Sequence, residues 1–240
     1  MTLAEQHVIV VGGSSGIGLA VASAVLAEGG RVTIVGRSSE RLVRAQELLG
    51  EGAHVSTFVA DIAEEADVIR MFDAAGEFDH LVTTAVDAAY GPIAELKMDD
   101  AQRVLRSKLV GALLLAKHAK SGISPRGSLI FTSGIAAYRP SPGGAVVAAV
   151  NGALESLARA LTIELAPVRV NVVSPGWVDT PVWDVVAGSR KGAVLASMAE
   201  RLPVGRVGKT MDLAPAYIFL MQSEYTTGSV VHVDGGHRLV

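Results

Sequence analysis

The segment Val11-Gly12-Gly13-Ser14-Ser15-Gly16-Ile17-Gly18 constrains this chain more than any other. It follows an apolar, β-branched run, His7–Gly12, and leads into a helical pattern at about Gly16–Glu28. In a strand that turns directly into a helix, the glycines have separate physical tasks. Gly12 permits the tight turn, Gly16 lets the backbone approach a pyrophosphate, and Gly18 lets helix and strand pack closely. The helix N-terminus then offers free N–H groups and the positive end of its dipole to phosphates. The spacing predicts a dinucleotide cradle made of Gly12, Ser14, Ser15, Gly16, Ile17 and Gly18. Taken alone, the segment also reads as an ordinary glycine-rich turn.

The rest of the chain repeats the strand–helix unit. Strands are expected at His7–Gly12, Arg31–Gly36, His54–Ala60, His80–Thr84, Ser128–Ser133, Arg169–Ser174 and Ser229–Val233. Helical patterns fall between them at about Gly16–Glu28, Ser39–Leu49, Glu64–Ala75, Asp99–Lys120, Gly144–Leu165 and Asp212–Gln222. This alternation implies right-handed crossovers and an α/β fold with a doubly wound parallel sheet of about seven strands. Half the residues are apolar and only 5% aromatic, which suits a sheet buried on both faces. No linker divides residues 1–240, which read as one domain. The least regular stretch, 177–207, is expected to act as a lid over a pocket.

Several function classes are disfavoured. The net charge of −3 is small and scattered, so no nucleic-acid partner is expected. The absence of cysteine removes disulfides, thiolate metal sites and a cysteine nucleophile. The six histidines show no metal-ligand spacing, so no metal is expected. The N-terminus has no basic leader, and the apolar runs read as interrupted before membrane-spanning length. A cytoplasmic protein without a membrane partner is the expectation.

The end of the second strand bears on cofactor choice. A carboxylate there would bind the adenosine ribose hydroxyls. The chain instead has Val35-Gly36-Arg37-Ser38-Ser39, where Arg37 can stack on adenine and pair with a 2′-phosphate. NADP is therefore favoured over NAD, the other reading of Arg37 being a solvated surface arginine. Asp61 can accept a hydrogen bond from the adenine amino group or serve as a helix cap ahead of Glu64.

With these residues in place, the chain resembles the short-chain dehydrogenase/reductase family over nearly its whole length. The likeness includes Val170-Asn171-Val172-Val173-Ser174-Pro175-Gly176-Trp177-Val178-Asp179-Thr180-Pro181, Leu202-Pro203-Val204-Gly205-Arg206-Val207-Gly208 and the closing Val233-Asp234-Gly235-Gly236. The resemblance implies a Rossmann fold in which Pro175, Gly176, Val178 and Thr180 hold the nicotinamide end and the diphosphate. It also implies a small-molecule substrate and a homo-oligomer, dimer or tetramer, built through the long helices and the C-terminal strand. Leu109, Leu113, Leu114 and Ala116 suit such a face, and core burial explains them equally well.

The departures fall where the family does its chemistry. The resemblance implies an Asn, Ser, Tyr and Lys set, of which only Ser133 is kept. The tyrosine position is Val147, the lysine position is Asn151, and the helix that usually carries Asn-Leu-x-Gly carries Lys108-Leu109-Val110-Gly111. The Asn-Asn-Ala-Gly often found after the fourth strand is Thr83-Thr84-Ala85-Val86. Asn151 can still hydrogen-bond cofactor ribose. Lys108 is expected to reach into the space left by Val147 and Asn151, with a pKa lowered by desolvation and nearby charge, and to act beside Ser133. A partly exposed interface lysine is the other reading. Tyr138 is a second candidate acid, or an aromatic packing residue. Trp177 and Trp183 are plausible pocket walls or lid packing, and His118 reads as an exposed helix-end residue. The expected function is an NADP-dependent oxidoreductase acting on a small carbonyl or alcohol with a rearranged acid–base set. A catalytically inactive NADP-binding regulator or scaffold, and a redox-neutral lyase or isomerase, are the alternatives.

Overall fold

The computed structural model describes every residue except Met1, Glu51, Ala53, Val86 and Ala88. The last position of Thr83-Thr84-Ala85-Val86 therefore lies outside the described residues. Strand β1 (His7–Val11) is buried at every position. Successive side chains point to opposite faces, so Ile9 and Val11 join one apolar layer and Val8 and Val10 the other. With no polar face, this strand must be central and covered on both sides.

Its parallel neighbours are β2 (Arg31–Gly36), which also pairs with β3 (Val55–Val59), and β4 (Phe78–Thr83). The sheet continues through β5 (Ile123–Thr132) and β6 (Arg169–Pro175). A separate two-stranded ribbon, β7 (Val178–Asp179) with β8 (Gly208–Lys209), precedes the last sheet strand, β9 (Val230–Val233). The order β3-β2-β1-β4-β5-β6-β9 reverses direction between β1 and β4. A crevice opens at the carboxyl ends of the strands at such a reversal. The expected α/β doubly wound sheet is present, with seven strands.

Helices α1 (Gly16–Ala27) and α2 (Ser39–Leu49) cover one face with Val21, Val25 and Leu42. The other face takes α3 (Glu65–Ala75), α4 (Met98–Leu105), α5 (Gly111–Ala119) and α6 (Ala145–Glu164), with Met71, Leu115 and Leu154 among the buried contacts. Short α7 (Val182–Val186) and α8 (Lys191–Arg201) stand over the crevice. Helix α9 (Thr210–Gln222) returns to the first face through Leu213, Tyr217 and Leu220. Its C-terminal carbonyls, at Leu220, Met221 and Ser223, accept from the buried Arg169 guanidinium, which ties β6 to that helix end.

Four expectations need correction. The helix expected at about Asp99–Lys120 is interrupted by a π-helical turn at Arg106–Val110. The stretch 177–207, expected to be the least regular, carries α7 and α8. β5 begins at Ile123 rather than Ser128. Pro125 and Gly127 mask its first half in the sequence, and the pairing with β4 shifts register between Phe78 and His80. A Cβ on Gly127 would lie 2.1 Å from the Asp79 carbonyl oxygen, so the strand approaches β4 more closely than a side chain allows. The apolar runs were also expected to fall short of membrane-spanning length. By length and composition α6 is long enough, with 20 residues and a mean hydropathy of 1.3. Its alanines raise that average while its inward face packs on the sheet and carries Asn151 and Glu155.

Within the sheet, His80 hydrogen-bonds with Ser128 Oγ at 2.9 Å and Gln6 Oε1 at 3.0 Å. Burial, reinforced by the Arg169 charge, lowers its pKa from 6.5 to about 3. Between those values the unfolded chain binds a proton that the folded chain refuses, so stability rises with pH. His80 alone contributes a slope of about 1.4 kcal/mol per pH unit in that window. Urea unfolding of His80→Gln from pH 7 to pH 4 should show a clearly flatter acid dependence than the wild type.

Candidate active site

The crevice forms a cavity of about 1300 Å³. Single-ligand pockets usually span about 300–1,000 Å³, so this one has room for a dinucleotide and a second molecule. Its floor is the β1–α1 turn. Gly12 and Gly16 have φ of +83° and +58°, in the left-handed region that favours glycine. A Cβ on Gly16 would only touch Pro181 and Thr180, at 3.7 to 3.8 Å, so it is the positive φ rather than crowding that calls for glycine here. Ser14, Ser15 and Ile17 line the cavity beside it. Gly18 does not. A Cβ there would lie 2.3 Å from Gly12 O, so its task is to let α1 pack against the turn. Ser15 caps α1 without a side-chain bond to the helix, which leaves the first N–H groups available to an anion. Pro175, Gly176, Val178 and Thr180 face this turn across the cavity. The cradle fits a dinucleotide.

At the adenosine end, Arg37 and Asp61 line the cavity as expected. Arg37 is not free, however. Its guanidinium grips Asp87 through two hydrogen bonds of 2.9 and 3.1 Å. The sequence was expected to place no carboxylate here, and Asp87 escaped notice because it arrives from the loop after β4, fifty positions away. Arg41, also missed, lines the same end and donates to Ser15 Oγ at 2.9 Å. Its place at the start of α2 carried a signal, two residues after Ser39 and within reach of the phosphate turn. Asp61 has one carboxylate oxygen accepting from Ala63 N at 2.9 Å, a local turn, while Glu64 occupies the cap position of α3.

The other end of the cavity centres on a π-helical turn, Arg106–Val110, between α4 and α5. Such turns insert one extra residue and redirect a side chain. Here Lys108 is 9% exposed and lines the cavity. Its ammonium donates to Ser133 O at 3.0 Å and to Asn151 Oδ1 at 2.5 Å. Burial lowers its pKa from 10.5 to about 8, against the opposing charge of Glu155. Asn151 Nδ2 also donates to Gly134 O at 3.4 Å. Val147, Asn151 and Glu155 lie four residues apart on one face of α6, and Val147 and Asn151 line the cavity.

Glu155, which no sequence motif singles out, organises this end. It is 5% exposed and accepts from Ser133 Oγ at 2.8 Å and from Tyr138 OH at 2.6 Å. Ser133 lines the cavity, but Tyr138 does not, because its hydroxyl turns to Glu155 and its ring packs edge-on against His232 at 4.7 Å. Tyr138 remains 43% exposed, and partial burial together with the Glu155 carboxylate raises its pKa to about 12. Trp177 and Trp183 stack at 4.4 Å and both line the cavity. His118 instead pairs with Glu65 at 2.7 Å on the surface. Among the described residues, no group of three His, Asp or Glu is arranged to hold a metal.

A family model described as enoyl-(acyl carrier protein) reductase matches residues 11–238. The chain belongs to the short-chain dehydrogenase/reductase family. It is 34% identical to short-chain dehydrogenase/reductase ucsE of Acremonium sp, covering 98% of this chain and 96% of that one. The solved structure of the MalC reductase/Diels-Alderase from Malbranchea aurantiaca superposes with a TM-score of 0.92 at 30% identity, over 99% of this chain and 98% of that one. A small-chain dehydrogenase in complex with NADPH gives a TM-score of 0.82 at 32% identity, over 98% and 100%. Family membership makes this chain an oxidoreductase with a Rossmann fold.

Asn151 supplies one of two acceptors to a buried ammonium, and removing it leaves that charge partly unpaired. Asn151→Ala should destabilise the fold by about 1–3 kcal/mol, read from urea unfolding at neutral pH, and the loss should shrink above the Lys108 pKa.

Proposed function

We propose that this protein is an NADP-dependent reductase of small carbonyl compounds, reversible to the alcohol, in which Lys108 replaces the missing tyrosine as proton donor. The observation that carries this reading is the buried Lys108 ammonium, held between Ser133 O and Asn151 Oδ1 in the wall of the cofactor-sized cavity. NADPH, held by the Gly12–Gly16 turn and by Pro175, Gly176, Val178 and Thr180, supplies hydride chemistry when bound.

The chain's own residues handle the charge and the proton. As a carbonyl oxygen gains negative charge, a buried cation nearby stabilises it more than water would. A pKa of about 8 keeps Lys108 protonated at neutral pH while making release easier than from a free lysine. Ser133 Oγ gives its one proton to Glu155, so the Lys108 ammonium, with one N–H left beyond its two acceptors, is the donor to the substrate oxygen. Glu155 holds Ser133 in position and raises the proton affinity of Lys108, and Tyr138 occupies its second oxygen. Val147 leaves room for the substrate where a tyrosine would project. The segment 177–207, with Trp177 and Trp183, acts as the lid that excludes water. Of the face expected at Leu109, Leu113, Leu114 and Ala116, all but Leu113 pack into the core, and the exposed Leu113 with Val110 is what remains for homo-oligomer packing.

NADP is preferred because Arg37 and Arg41 both border the adenosine end. A 2′-phosphate takes Arg37 in place of Asp87 and adds Arg41. Arg37→Ala and Arg41→Ala should each weaken NADPH binding about tenfold or more while leaving NADH nearly unchanged, and Asp87→Asn should tighten NADPH, all by calorimetry. Retained NADPH affinity in both arginine variants would remove the preference.

Reduction should slow above pH 8 as Lys108 loses its proton. Lys108→Ala should lower kcat/KM by about 10²–10⁴-fold, and Glu155→Gln should move the alkaline limb to lower pH. These are measured as pH–rate profiles over a carbonyl, quinone and imine panel. NADPH binding without turnover on that panel would favour the inactive, regulatory reading.

A redox-neutral reaction in the same cavity is a second reading. It is favoured by the replacement of the usual acid with Val147 and by the MalC relative, which is described as both a reductase and a Diels-Alderase.

A further inference from the structure

The lid end of the cavity carries charges that neither cofactor binding nor proton transfer uses. Arg139 follows the 3₁₀ turn Ile135–Ala137, Arg201 ends α8, and His237 opens the last 3₁₀ turn. All three line the cavity, although they come from three separate elements. Among the described residues, the ion pairs made by arginines involve Arg37, Arg44, Arg70, Arg103, Arg106 and Arg206, and neither Arg139 nor Arg201 has a carboxylate partner.

His237 is only 7% exposed, and its Nδ1 has no hydrogen-bond partner. Burial lowers its pKa, and the Arg139 and Arg201 charges lower it further, so both guanidiniums stand near the ring; Asp234 opposes them. The nearby acids are already engaged. Asp234 accepts from Gly236 N and Arg238 N, and Asp179 and Asp184 both pair with Lys191. Arg139 and Arg201 are left at this end as cations without a carboxylate partner. Beside it stand the parallel rings of Trp177 and Trp183, 13° apart, with Val182 and Met198.

We propose that Arg139, Arg201 and His237 form a binding site for an anionic group on the substrate, so that the preferred substrate is a carbonyl compound whose apolar body carries a carboxylate. This deepens the reductase reading and rests on it. A guanidinium fork matches the two oxygens of a carboxylate. A neutral, desolvated imidazole adds a donor without a second full charge to desolvate. The tryptophan pair and its apolar neighbours cover the body of the molecule, and its carbonyl is left facing Ser133. Anchoring the far end supplies binding energy and orientation that a weak acid–base set otherwise lacks.

The chain has two tryptophans, and both are in this wall, so intrinsic emission reports the site directly. The experiment titrates phenylpyruvate and its methyl ester into the protein, alone and saturated with NADP⁺, and follows NADPH binding separately by nicotinamide fluorescence. The acid should bind about tenfold or more tightly than the ester, and added salt should narrow the gap. Arg139→Gln and Arg201→Gln should each weaken acid binding about tenfold and leave ester and NADPH affinity unchanged, with Arg201→Lys recovering part of the loss. Equal binding of acid and ester, unchanged acid binding in both glutamine variants, or binding of neither probe would overturn the proposal. Loss of NADPH binding alone would instead count against the cofactor reading, because the acid–ester difference is measured without it as well.

Discussion

A buried ammonium has to be paired, and that requirement shapes the Lys108 end of the cavity. Lys108 leaves water at a cost of several kcal/mol if nothing compensates. Its compensation comes from three places at once: the Ser133 carbonyl, the Asn151 amide oxygen and the more distant Glu155 charge. These lie on the end of β5 and on α6, so the π turn must meet both elements at a fixed distance. The close approach of Gly111 to Ile62, where a Cβ would fall 2.7 Å from the isoleucine side chain, holds the following helix against the fold. The substitutions at Val147, Asn151 and Lys108 are therefore one change. A lysine on α6 and a lysine on the π turn would compete for the same space and repel each other.

The sheet supplies the rigid frame. β1 is buried on both faces and the strand order reverses beside it, so the mouth between β1 and β4 has nowhere to close. The MalC structure, with a TM-score of 0.92 at 30% identity, shares this frame. Differences in chemistry then reside in a few side chains at strand ends and on one stripe of α6.

Local signals made the fold legible. β1 and the glycine turn declared themselves through β-branched runs and spacing, and α2 was bounded correctly at both ends. The first half of β5 was not legible, because Pro125 and Gly127 look like a loop unless the bulge opposite Asp79 is known. At the site, Lys108 and Ser133 could be singled out because they occupy known places in a resemblance. Glu155 could not, since a glutamate on a long helix usually faces solvent, and only tertiary packing turns it inward. Asp87 was hidden for a different reason. Its partner Arg37 sits on another crossover, and no local pattern links residues that meet only after the sheet has formed.

Asp87 is held from two directions. Arg37 grips its carboxylate, and its backbone N–H donates to Ser107 Oγ at 3.4 Å, one residue before Lys108. The adenosine end of the crevice and the π turn thus share a single loop residue as a mechanical joint. A ligand that draws Arg37 away frees one side of that joint and leaves the other attached to Ser107. The two halves of the crevice are consequently not independent compartments, and a displacement at one end of this shared anchor reaches the other.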